Sequence, residues 1–147
     1  MSNKEKLNII FLCSSNKDRS PALEQYFTEN YPHHEYKSAG MNRYFTQKKG
    51  TQYLTNELIY WANMVVFAED IHLSVFCRDF DFKAIPRNIP GIHGFVESNF
   101  ASHPPSDSRM LKSYCILNCG HYSPDAMDTY ITKAEPIIIA AIEDYQK

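Results

Sequence analysis

At 147 residues the chain has the length of one domain and can bury one substantial core. Apolar residues at 44% and charged residues at 22% are globular proportions, which argues against a disordered or membrane-inserted chain. A formal net charge of −2 offers no overall basic surface for nucleic acid, so neither a nucleic-acid nor a membrane partner is expected.

The N-terminal MSNKEKLNIIFLC lacks the long apolar stretch of a signal peptide, and a cytoplasmic location is the expectation. Its apolar run at 7–13 reads as a first strand buried on both faces. Leu23, Tyr26, Phe27 and Tyr31 then share one helical face. YKSA at 36–39 reads as a second strand, and Leu54, Leu58, Trp61 and Ala62 mark another helix. MVVFA at 64–68 is a third strand, 71–80 a weaker helix, and YCILNC at 114–119 a fourth strand. The last helical register runs from Ile131 to Tyr145, with Pro136 expected to kink it or to start a fresh helix. Strands alternating with helices predict an α/β fold, a four-stranded parallel sheet with helices on both faces. The whole chain, 1–147, reads as a single domain, interrupted by an irregular proline-rich insertion at 82–112 with one short helix around 94–100.

The junction between the first strand and the first helix carries the chemistry. It reads FLCSSNKDRSP: Cys13 ends the strand, and Ser20 and Pro21 sit as N-cap and first helical residue. The intervening loop then wraps a helix N-terminus, where inward backbone N–H groups and the helix dipole favour a tetrahedral oxyanion such as phosphate. The same field stabilises a thiolate at Cys13, and Arg19 offers the planar fork that grips two phosphate oxygens. Ser14, Ser15, Asn16, Lys17, Asp18, Arg19 and Ser20 are accordingly the expected phosphate-binding residues, with Cys13 poised for in-line attack. The six histidines show no HxxxH or HExxH spacing and the four cysteines no CxxC, so neither a metal nor another cofactor is expected.

IIFLCSSNKDRSPALEQYF resembles the start of the low-molecular-weight protein tyrosine phosphatases, whose phosphate loop reads C-x-G-N-x-C-R-S-P ahead of a helix; KSAG at 37–40 is similar to that family's S-A-G. The resemblance implies that Cys13 is the nucleophile, Arg19 the phosphate clamp, Ser20 a hydrogen-bond donor to the thiolate, and Asn16 a left-handed loop residue. Ser15 stands where the family usually has glycine, and Asp18 where many members have a second cysteine that could protect the nucleophile as a disulfide.

Expelling an alkoxide or phenolate requires a proton donor. The family draws it from an aspartate in a D-P-Y type loop, whereas this chain reads ILNCGHYSPDAMDTY at 116–130 and has no D-P. Asp125 is preferred as the acid because it is a carboxyl group, with His121 as the alternative; Asp128 is read as a helix cap. The resemblance also points to aromatic substrate walls, here Tyr44, Phe45 and Tyr122. The expected partner is a phosphorylated protein or a small aryl phosphate, cleaved through a phosphocysteine. A non-catalytic phosphate- or phosphopeptide-binding module is the alternative raised by the missing D-P. A thioredoxin-coupled arsenate reductase ranks lower, because Cys77 has no nearby cysteine partner and Cys115 and Cys119 are badly spaced for a disulfide along one strand.

Overall fold

The computed structural model describes residues 5–14, 16, 19–80, 83–86, 95–99, 110–115 and 127–146, the side chains of 70, 83–86, 95–99, 110–112 and 127 excepted. In chain order the elements are β1 (Asn8–Cys13), α1 (Arg19–Asn30), β2 (Glu35–Gly40), α2 (Arg43–Lys49), α3 (Asn56–Trp61), β3 (Met64–Phe67), α4 (Asp70–Phe80), β4 (Lys83–Pro86), β5 (Phe95–Asn99), β6 (Met110–Cys115) and α5 (Met127–Tyr145).

One sheet carries all the strands, in the order β2-β1-β3-β6-β5-β4. The first four are parallel: Ile9 faces Tyr36 on one side and Met64 on the other, and Met64 faces Lys112 of β6. This is the four-stranded parallel sheet expected from the alternation of strands and helices. Because β1 lies at its centre, successive residues feed opposite cores. Ile9 and Phe11 pack with Leu23 and Phe27 of α1 and with Ala134, Ile138 and Ala141 of α5. Ile10 and Leu12 pack on the other face with Ile59 of α3 and Phe76 and Phe80 of α4. Helices therefore cover both faces, and side chains such as these contribute about 1.5–3 kcal/mol each on burial. No described helix is long and apolar enough to cross a membrane.

Three expectations are corrected. Residues 95–99 are not a helix: β5 pairs antiparallel with β6, Glu97 opposite Lys112, and β4 pairs antiparallel with β5, Ala84 opposite Ser98, so strands occupy part of 82–112. The stabilising hydrogen bonds come from β6, a partner that local periodicity does not reveal. The fourth parallel strand is Met110–Cys115, starting four residues before the apolar run, while 116–119 lie outside the described residues. Lys112 sits within its ladder, and a charged residue there hides the strand from a search for apolar runs. Finally, α5 runs unbroken through Pro136, so no fresh helix starts there. The proline is exposed, while Ala134, Ile138, Ala141 and Ile142 of the same helix are buried. Their burial outweighs the roughly 3 kcal/mol that an interior proline costs.

The helix α2 was not foreseen. Asn42 caps its start, the side-chain oxygen accepting from the Phe45 N–H at 2.9 Å, and Gly50 ends it in the left-handed conformation, φ 67°. This short helix stands beside the end of β1.

Candidate active site

At the C-terminal ends of β1 and β3 the strands hand over to loops and helix starts, the place where parallel sheets put ligand sites. The β1–β2 ladder continues past the strand: the Met41 N–H donates to the Cys13 carbonyl at 2.8 Å, and the Asn42 N–H to the Ser14 carbonyl at 2.9 Å. On the other side the Ala68 N–H donates to the Leu12 carbonyl at 2.9 Å. The strand end is thus held on one side at Cys13 and on the other at Leu12, and Cys13 is buried.

Ser20 departs from the N-cap role expected of it. The helix already includes Arg19, and the Ser20 side chain is fully buried, its Oγ 2.9 Å from Cys13 Sγ and 3.0 Å from Asn16 Oδ1. The Ala39 carbonyl lies 3.4 Å away as a further acceptor. A hydroxyl both donates and accepts, so this one can stabilise either protonation state of the neighbouring sulfur. Asn16 has φ 53°, the one non-glycine residue in the left-handed region among the described residues. Asparagine tolerates that region better than most residues, and the turn it makes brings its amide back over Ser20.

Two further residues, unforeseen in the sequence, organise the loop. Glu69 Oε2 lies 3.5 Å from Arg19 Nη1, pairing a guanidinium that is only 15% exposed. His72 is buried in the first turn of α4, and its Nδ1 accepts from the Glu69 backbone N–H at 3.1 Å. An N–H can only donate, so in the neutral ring the hydrogen sits on Nε2, which donates to Ser14 Oγ at 2.9 Å. The signal for His72 was weak: a histidine three residues after Glu69 sits where a capping-box side chain reaches back to the cap. Glu69 is fifty positions from Arg19 in sequence, and nothing local links them.

A cleft of about 650 Å³ opens beside the loop. It is lined by Ser14 of the loop, by Arg43 and Tyr44 of α2 and by Ile71, His72 and Arg78 of α4. Tyr53 and Asp79 complete its lining. Tyr44, an expected substrate wall, is 64% exposed on the cleft; Phe45 meets its ring edge-on with centroids 5.7 Å apart. Ser15, Lys17, Asp18, His121, Tyr122 and Asp125 lie outside the described residues. Asp128 is exposed in the first turn of α5, one residue inside the helix. Among the described residues no disulfide joins Cys13, Cys77 and Cys115.

A parallel α/β sheet whose first strand ends in a cysteine, followed by a short loop and a helix that opens on Arg-Ser, defines the fold class. It is the fold of the low-molecular-weight protein tyrosine phosphatases, as comparison with solved structures shows. Wzb of Vibrio vulnificus in complex with benzylphosphonate superposes with a TM-score of 0.59 at 14% identity, over 95% of this chain and 99% of that one. The low-molecular-weight protein tyrosine phosphatase from T. tengcongensis gives 0.55 at 18%, over 95% and 99%. The tyrosine phosphatase AmsI of Erwinia amylovora gives 0.53 at 16%, over 95% and 96%. No protein-family model and no curated protein matches the sequence.

Proposed function

We propose that this protein is a cysteine-dependent hydrolase of phosphate monoesters, acting on phosphotyrosine in cytoplasmic proteins. The observation that carries the reading is the contact of 2.9 Å between Cys13 Sγ and Ser20 Oγ at the mouth of α1, where a thiolate has a hydroxyl donor beside it and a helix N-terminus in front of it. In the first step the Cys13 thiolate attacks phosphorus in line, the sulfur–phosphorus bond forms and the ester oxygen–phosphorus bond breaks. Arg19 and the loop residues Ser14 to Asp18 hold the phosphoryl oxygens, and Ser20 supports the sulfur. The departing oxygen takes a proton from Asp125, with His121 as the alternative donor. In the second step water attacks phosphorus and gives up a proton to the same base; the sulfur–phosphorus bond breaks, releasing inorganic phosphate and the thiolate.

An aryl ester suits the cleft, since Tyr44 offers a ring beside the loop and Phe45 and Tyr122 are the further wall candidates. The family fold, shared with proteins described as tyrosine phosphatases, supports the same reading.

The test is hydrolysis of p-nitrophenyl phosphate under reducing conditions with no added metal, wild type beside Cys13→Ser. Turnover that disappears in Cys13→Ser is the expected result. If the wild type turns nothing over while phosphate or vanadate still raises its melting temperature, the site is a phosphate-binding module instead.

A further inference from the structure

Of the residues that line the cleft, only Ser14 belongs to the β1–α1 junction where a phosphoryl group would sit. The remaining space has a charge of its own. The α2 sequence RYFTQKK contributes three cations and no acid, in a chain whose net charge is −2. The Arg43 guanidinium lies over the Tyr53 ring, 5.1 Å from its centroid, and Lys48 lies over the Tyr44 ring at 5.7 Å. On α4, Arg78 Nε donates to Asp79 Oδ1 at 2.8 Å, and both residues line the same cleft. That hydrogen bond holds the Asp79 carboxyl below its ordinary value, and the charge of Arg43 acts in the same direction. Asp79 is therefore already engaged by its neighbour, and among the described residues no carboxylate lies within ion-pair distance of Arg43. Among the described residues that line the cleft, two guanidinium groups face one carboxylate, a positive balance.

We propose that Arg43, braced on Tyr53, recognises an acidic side chain of the substrate polypeptide, close in sequence to the phosphorylated residue. The proposal rests on the phosphomonoester reading given above and names the substrate class within it. A polypeptide fits better than a small metabolite because Tyr44 of α2 and Ile71 of α4, which both line the cleft, are 64% and 58% exposed. A chain can cross an open cleft of this kind, whereas sites for small molecules bury most of the ligand. Arginine suits the task, since its planar fork meets a carboxylate with two parallel hydrogen bonds, and stacking on Tyr53 fixes its plane beforehand.

The experiment compares phosphotyrosine peptides that differ only in flanking residues, glutamate, glutamine or lysine, as substrates for the wild type, Arg43→Gln and Arg43→Glu. The wild type should favour the glutamate peptide over the glutamine peptide in kcat/KM by about fivefold, the upper end for a solvent-exposed ion pair. The preference should reside in KM and shrink as salt is added. Arg43→Gln should level the glutamate and glutamine peptides, and Arg43→Glu should favour lysine. Equal use of glutamate and glutamine by the wild type, or a preference that survives in Arg43→Gln, overturns the proposal while leaving the phosphatase reading intact. Turnover of p-nitrophenyl phosphate but of no peptide overturns the polypeptide substrate, and this proposal with it; turnover of no phosphate ester at all overturns the phosphatase reading itself.

Discussion

Ser20 Oγ sits 2.9 Å from Cys13 Sγ and 3.0 Å from Asn16 Oδ1, so one hydroxyl hydrogen has two near acceptors to choose between, besides the Ala39 carbonyl at 3.4 Å. While the sulfur carries a proton, that proton can point to Oγ and the hydroxyl to Asn16; once the sulfur is a thiolate, the hydroxyl turns to it. A hydrogen bond to a charged group is worth about 1.5–3 kcal/mol, or roughly tenfold to a hundredfold in rate. Ser20→Ala should therefore lower turnover of p-nitrophenyl phosphate by at least about tenfold with an unchanged circular dichroism spectrum. A loss of less than about twofold would remove Ser20 from the reaction.

Asn16 turns the loop at φ 53°. Alanine in that conformation is strained by about 1–2 kcal/mol, while glycine is not. Asn16→Ala should weaken phosphate binding by about tenfold, and Asn16→Gly by less, as isothermal titration calorimetry would show. An alanine variant binding as well as the glycine variant would mean that backbone conformation is not what this position supplies.

His72 joins the start of α4 to Ser14 through Nδ1 and Nε2, and it is buried. Replacing it by alanine deletes a buried ring and leaves two polar groups to find other partners, a loss of about 2–4 kcal/mol. Urea denaturation of His72→Ala should show a lowered midpoint with an unaltered slope.

His34 gives the fold a pH dependence. Its Nδ1 accepts the Leu7 N–H at 2.9 Å, and burial, followed by the nearby His33, holds its pKa below the ordinary 6.5. The unfolded chain consequently takes up the proton first. The stabilisation is complete above the unfolded value and is lost as pH falls below about 6.5 towards the lower folded value. Melting temperatures measured down this range should fall for the wild type and fall less for His34→Gln. Parallel curves for the two proteins would assign the pH dependence elsewhere.

Pro136 interrupts the hydrogen-bond ladder of α5 on its exposed side. Pro136→Ala restores an N–H donor and removes a ring that crowds the preceding turn, so the variant should be more stable by about 1–3 kcal/mol. Thermal unfolding checks this, and a lower melting temperature would show that the proline ring itself packs favourably.

Much of the architecture was legible because its signals are local. Runs such as NIIFLC and MVVF announce strands buried on both faces, and Leu23 and Phe27 announce a helix that covers one of them. The cysteine, arginine and serine of the loop were legible for a similar reason, since a strand end and a helix start six residues apart leave little choice about where those side chains gather. Ser20 shows the limit of local reading. Serine before proline is a good cap, yet burial beside Cys13 places its hydroxyl on the sulfur.

What remained hidden depends on partners distant in the chain. FVESN becomes a strand because β6 supplies its hydrogen bonds, and α5 survives its proline because the sheet buries Ile138 and Ala141. Glu69 reaches Arg19, and His72 reaches Ser14, only because parallel β1 and β3 lie side by side and end at the same level. The cleft between α2 and α4, and the stacking of Arg43 on Tyr53 within it, arise in the same way. Composition, periodicity and loop chemistry were sufficient for the alternation of parallel strands with helices and for the Cys13–Ser20 junction, since each of those signals lies within one strand or one or two helical turns. The surroundings of that loop were decided by tertiary structure, because strand pairing, which no local pattern encodes, determines which distant side chains meet there.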